Sequence, residues 1–255
     1  MLGLQLRLLL AALRVYSRLP VARALAAAAL ASADGAAHRA RYLPAVGIVV
    51  ALLVAVLYAT IALWLPHPLS IVIAIAAGLA LTGAVHERGL ADVCRVIAAR
   101  TDAARQTGLA DGAHAGALAV AVAVLARYEA LSSIDPSWVA VTLVSAAAFS
   151  RGCALLSTAG TPAGPGRQDL AVAGALALLP AAVGAWWTGA GSVFAAAVLL
   201  AAATALFTRR VLRAQAPLDS ERALDALQQA TELAYLAGVV ATLTIDDETA
   251  ADSTS

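Results

Sequence analysis

The apolar residues of this chain do not alternate with polar ones; they run on in blocks close to the ~20 residues a helix needs to cross a bilayer. Such blocks fall at Leu43–Leu65, Leu69–Val85, Ala115–Leu131, Trp138–Ala154, Leu170–Trp187 and Ser192–Phe207, with a weaker one at Leu233–Ile245. A transmembrane barrel would show segments of ~10 residues with strict alternation. These blocks are continuous Ala, Leu and Val, so the spans are predicted to be helices. Pro66-His67-Pro68 is a turn that folds the first two into a hairpin. The first 42 residues differ: Arg7, Arg14, Arg18 and Arg23 interrupt the apolar run, and Pro20 breaks it. Arg7, Arg14 and Arg18 stand at i, i+7 and i+11, one helical face, which predicts an amphipathic helix lying in the membrane interface. The same arginines split the apolar core that a cleaved signal peptide requires. The expected fold is all-α, a polytopic helical membrane protein of six or seven spans. Its organisation is a single membrane domain over 1–255: an interfacial segment 1–42, a bundle 43–245 and a polar tail 246–255.

Composition narrows the class further. With 62% hydrophobic and 13% charged residues and a mean hydropathy of +0.84, the chain is too apolar for a soluble domain. A net charge of +1 gives no basic excess for nucleic acid, and none is expected as a partner. The distribution of charge is more informative than its sum. All 17 basic residues are arginines; 16 flank the same ends of the predicted spans, and Arg127 is placed at the opposite end. The positive-inside rule makes that side cytoplasmic, so the expected location is the inner membrane of a bacterial-type cell. Polar connections near 82–114, 150–169 and 209–232 then share one face. Cys94 and Cys153 lack the paired spacing of a metal or redox motif and are read as packing residues, with no disulfide.

Candidate chemistry begins where the second apolar block ends. Thr82-Gly83-Ala84-Val85-His86-Glu87-Arg88-Gly89-Leu90-Ala91-Asp92-Val93-Cys94-Arg95 crowds ionisable residues directly after it. Positions 88, 92 and 95 share a helical face that reads Arg, Asp, Arg, the pattern of exposed intrahelical ion pairs. Glu87 lies about 140° round the helix from Asp92, so the two carboxylates meet on one ion only if Gly89 breaks the helix. Further polar candidates are Asp111 and His114, Ser150-Arg151, Arg167, and Gln228, Gln229 and Glu232 near the last block. None of the apolar spans is read as carrying an ion pair at mid-membrane, which argues against a transporter.

The residues T-G-x-x-H-E-x-G-L-A-D resemble the acidic motif of the cobalamin synthase family, the adenosylcobinamide-GDP ribazoletransferases. Ser17-Arg18-Leu19-Pro20, Leu43-Pro44, Phe149-Ser150-Arg151 and the stretch Leu224–Leu233 are similar to other parts of that family, so the resemblance runs from about residue 14 to 235. It implies that adenosylcobinamide-GDP and alpha-ribazole, or its 5'-phosphate, are joined with release of GMP. Magnesium is the implied cofactor, since phosphoryl transfer needs charge neutralised at the phosphate oxygens. The resemblance implies Glu87 and Asp92 as catalytic residues, Glu87, Asp92 and Asp111 as metal ligands, and His86, Ser150, Arg151, Gln228 and Glu232 as substrate-binding residues. Arg88, Arg95 and Arg222 stand where the family's pattern has acids. The alternative is therefore a non-catalytic homologue that binds a corrinoid or scaffolds the pathway. The lipid bilayer is an expected partner, and a homo-oligomer is compatible with the sequence.

Overall fold

The computed structural model describes residues 2–22, 38, 40–100, 113–160, 164–215 and 221–252. Among the described residues all regular structure is helical: α1 (Leu2–Tyr16), α2 (Leu43–Ile61), α3 (His67–Thr82), α4 (Val85–Ala99), α5 (Ala113–Ser132), α6 (Pro136–Ser157), α7 (Arg167–Thr188), α8 (Gly191–Gln215) and α9 (Glu221–Asp252). Prolines sit in the first turns of α2, α3 and α6, where an amide N–H is not needed by the helix. Asp135 caps α6 by accepting from the Ser137 amide at 2.8 Å.

Five helices, α2, α5, α6, α7 and α8, are long and apolar enough to cross a membrane, and α3 with α4 makes a sixth if that bent pair is one span. The all-helical, multi-pass architecture is as expected. The seventh block, Leu233–Ile245, lies inside the 32-residue α9, which is less apolar and continues to Asp252, past the point where the sequence places a polar tail. Exposed Trp64, Trp186 and Trp187 mark the ends of α2 and α7, while Arg41 and Arg167 mark their starts. An aromatic rim at one end and arginines at the other frame a membrane slab.

At the centre is α6, packed against α2, α7 and α9. The main core joins Val54 and Tyr58 of α2, Ile71 of α3, Leu131 of α5, Phe149 of α6, Phe194 of α8 and Tyr235 of α9. Outward rows such as Leu118, Val122 and Leu125 of α5 are exposed, the surface that lipid would cover.

α1 lies on α2 with Ala12 and Leu13 against Val46 and Val50, while Leu4 and Leu6 face outward. One expectation needs correcting: the helix stops at Tyr16, so Arg18 does not continue the Arg7–Arg14 face. A hydrogen bond from its amide to Leu81 O at 2.8 Å instead pins this segment beside the α3–α4 junction, and its guanidinium lies over Gly83. That junction is an 84° elbow. Gly83 (φ 72°) and Ala84 (φ 53°) are both left-handed, and Ala84 N–H closes α3 on Leu79 O at 2.9 Å.

Candidate functional site

The elbow turns α4 across the bundle, and the first residues after it, His86 and Glu87, are both buried. Glu87, 5% exposed, accepts from Arg127 of α5 (Nη1 to Oε1, 3.3 Å). The second guanidinium nitrogen of Arg127 donates to Glu232 Oε1 at 3.1 Å and to Gln229 Oε1 at 3.2 Å, both on α9. One arginine thus joins three helices. Glu232 thereby serves as a counter-ion to Arg127 within the bundle.

Beside this triad, His86 Nδ1 lies 2.9 Å from Asp225 Oδ1. With Nδ1 protonated and donating to Asp225, Nε2 is left as an acceptor, and it faces Arg151 Nη2 at 3.5 Å. Arg151 is 4% exposed, and its other contact is a 3.0 Å hydrogen bond to Ala147 O. No carboxylate pairs with it among the described residues. His86, Glu87, Arg127, Arg151 and Glu232 close one end of a cavity of about 70 Å³, whose walls include Val54, Ile75 and Leu131.

The structure brings four of the expected site residues together: His86, Glu87, Arg151 and Glu232. The expected partnership of Glu87 with Asp92 is not formed, because α4 stays regular through Gly89 and puts them on different faces. Asp92 pairs instead with Arg95 at 2.8 Å and with Arg222 of α9 at 3.2 Å, both largely exposed. Ser150 is buried in helix packing and Gln228 is buried on α9, and neither lines the cavity. Asp111 and the loop around it lie outside the described residues.

Gln229, a polar candidate in the sequence, is a direct partner of Arg127; Arg127 itself and Asp225 as the partner of His86 are not singled out by the sequence. Arg127 is a correction. It does not flank the opposite end of α5; it lies inside that helix and faces the bundle interior, so a span does carry buried ion pairs. A charge interrupting an apolar block was the available signal.

Gly89 explains part of the motif. A Cβ there would strike Asp225 Cβ and come within 2.8 Å of Arg222 O, so glycine lets α4 and α9 approach closely enough for the His86–Asp225 contact. Gly89→Val is expected to cost about 1–3 kcal/mol through overpacking, read as a lower melting temperature in detergent, and to lower turnover by moving Asp225 away.

The described residues gather no set of three His, Cys, Asp or Glu side chains that would cage a metal. They do fit an ion held by one carboxylate and by phosphate and water oxygens, a common arrangement for magnesium. Glu87 Oε2 is buried with no hydrogen-bond partner. Moreover, Arg127 and Arg151 against Glu87, Asp225 and Glu232 leave one excess negative charge when His86 is neutral. A bound diphosphate would need a cation there.

The fold and cluster define a polytopic helical membrane protein whose interior charges are collected beside an elbow between two helices. The family model described as CobS, cobalamin-5-phosphate synthase, matches residues 8–240, and the chain belongs to that family. It is 32% identical to the adenosylcobinamide-GDP ribazoletransferase of Azorhizobium caulinodans, over 90% of this chain and 94% of the relative. It is 33% identical to the protein of the same name from Mesorhizobium japonicum, over 76% and 79% of the two chains. No solved structure matches.

Proposed function

We propose that this protein transfers the corrinoid phosphoryl group of adenosylcobinamide-GDP to alpha-ribazole or its 5'-phosphate, with GMP as the leaving product, at the cytoplasmic face of an inner membrane. Family membership supports the reaction. The observation that carries its placement is Arg151, a buried guanidinium with no acidic partner among the described residues, next to the His86–Asp225 pair. A planar fork suits a diphosphate, whose oxygens would give Arg151 the anionic partner it lacks while the cation offsets the remaining charge. The acceptor hydroxyl, brought to His86 Nε2, would lose its proton there as its oxygen attacks the phosphorus, and the P–O bond to GMP breaks. Asp225 orients the ring and offsets the imidazolium that forms. Arg127 lies between Glu87 and Glu232 and pairs with both.

Magnesium is the proposed cofactor, with Glu87 Oε2 as the protein oxygen that would hold it; its chemistry is to neutralise charge on the phosphoryl oxygens and leaving group. Asp92 and Asp111 remain proposed ligands from the family pattern, and Ser150 and Gln228 proposed substrate contacts.

The test is the purified chain in nanodiscs with magnesium, adenosylcobinamide-GDP and alpha-ribazole, with GMP release as the readout. Release that chelator abolishes and magnesium restores supports the reading. A second reading, a non-catalytic corrinoid-binding member, is favoured by the engagement of Asp92 with Arg95 and Arg222. No GMP release with retained corrinoid binding would select it. Asp92→Asn separates the two carboxylates. A fall of at least about tenfold would keep Asp92 among the ligands, and a fall of less than about threefold would leave it only its exposed, weak ion pairs; Glu87→Gln should lower turnover by about 10²-fold or more, as loss of a group stabilising transition-state charge does.

A further inference from the structure

A second cleft lies away from the charged cluster. α7 and α8 form a hairpin turned at Gly189, and near that turn they touch: a Cβ on Gly184 of α7 would fall 2.6 Å from Phe194 of α8. Farther along, a cleft of about 270 Å³ opens between them, floored by Phe149, Gly152 and Leu156 of α6 and walled by Gly174 and Leu178 of α7 and Leu206 of α8. Leu156, Leu178 and Leu206 are exposed, so the cleft opens sideways, toward where bilayer lipid would lie. It runs roughly 10 Å along α8, seven residues from Ala202 to Arg209 at the helix rise.

One end of this apolar cleft is charged. Arg209 lines it, and its Nε is buried without a hydrogen-bond partner. Arg213 follows one turn later on the same face. Neither has a carboxylate partner among the described residues. Two guanidiniums placed together without an acid, at the arginine-rich end of the bundle, are complementary to a phosphate. The apolar wall below them is complementary to a hydrocarbon chain.

We propose that this cleft binds one anionic phospholipid, its phosphodiester on Arg209 and Arg213 and part of one acyl chain between α7 and α8. The lipid wedges the open end of the hairpin and supplies the partner that Arg209 Nε lacks. A zwitterionic headgroup would set a cation beside two arginines and be held less well. This site is independent of the reaction proposed above.

The test uses the full chain in nanodiscs of phosphatidylcholine doped with phosphatidylglycerol, re-extracted in mild detergent, with bound lipid counted by native mass spectrometry and melting temperature followed in parallel. The expected result is about one retained phosphatidylglycerol per chain, and a melting temperature raised by phosphatidylglycerol but not by phosphatidylcholine. Arg209→Gln/Arg213→Gln should reduce retention at least tenfold. Gly174→Leu should do the same with every arginine in place, since its Cβ meets nothing within 4 Å and the added side chain fills the cleft without disturbing the fold. Equal retention of both lipids would overturn the proposal in favour of a non-specific annulus. Full stabilisation by inorganic phosphate would overturn it in favour of a free-anion site. Loss in the double arginine variant but not in Gly174→Leu would reduce it to surface charge.

Discussion

Arg127→Met leaves Glu87 and Glu232 facing one another in the bundle interior without a cation, and the expected result is the largest loss of stability of any single substitution at the cluster. Breaking a buried ion network by removing one partner typically costs about 3–5 kcal/mol, because the remaining charges stay buried and unsolvated. Glu87 Oε1 and Glu232 Oε1 lie 3.3 and 3.1 Å from the two guanidinium nitrogens, so both lose their partner at once. The readout is thermal unfolding in detergent, with GMP release measured at a temperature where the variant remains folded. Arg127→Lys should fall between, since one ammonium cannot reproduce the two-pronged contact with α4 and α9. The control is Arg127→Met/Glu87→Gln/Glu232→Gln. If the penalty is uncompensated charge, neutralising the acids recovers most of the melting temperature while activity stays lost. If the triple variant is no more stable than Arg127→Met, the helices are held by guanidinium packing and the charge argument fails.

Arg127 also shows where a one-dimensional reading of charge breaks down. Apolar block lengths suffice to predict a helical bundle, and a shift of a few residues at either end does not alter that conclusion; the same smoothing assigns any charge near a block's end to the water outside. Arg127 sits within one and a half turns of the end of α5, so block length alone assigns it to a flank although its partners lie on α4 and α9. Glu87 and His86 were identifiable because they follow an apolar block directly. Their separation from Asp92 follows from helical spacing alone, and Gly89, which spacing leaves open as a break, proves to be a contact between helices instead. Asp225 is harder to find: its role depends on α9 crossing α4, a contact between residues 139 apart in sequence. No local pattern contains that information. The elbow at Gly83 and Ala84 is intermediate, since the glycine marks a stop for α3 but not the direction α4 takes.

His86→Gln is expected to lower kcat for GMP release by about 10²–10⁴-fold, the usual contribution of a positioned base, with little change in the KM for adenosylcobinamide-GDP. The argument rests on tautomer and placement. Asp225 Oδ1 accepts the hydrogen bond from Nδ1–H, which leaves the Nε2 lone pair toward Arg151 and the cavity. Glutamine keeps a polar side chain of similar reach but offers no basic nitrogen, so binding survives and proton removal does not. Asp225→Asn should give a smaller loss, because an amide oxygen still accepts from Nδ1–H but no longer offsets the imidazolium. The discriminating measurement is the split between kcat and KM. A His86→Gln variant that raises KM and keeps kcat would assign the proton transfer elsewhere and leave His86 as a spacer between Arg151 and Asp225. Arg151→Gln supplies the complementary result: a raised KM with kcat largely retained, as expected for a group that binds the diphosphate and moves no proton.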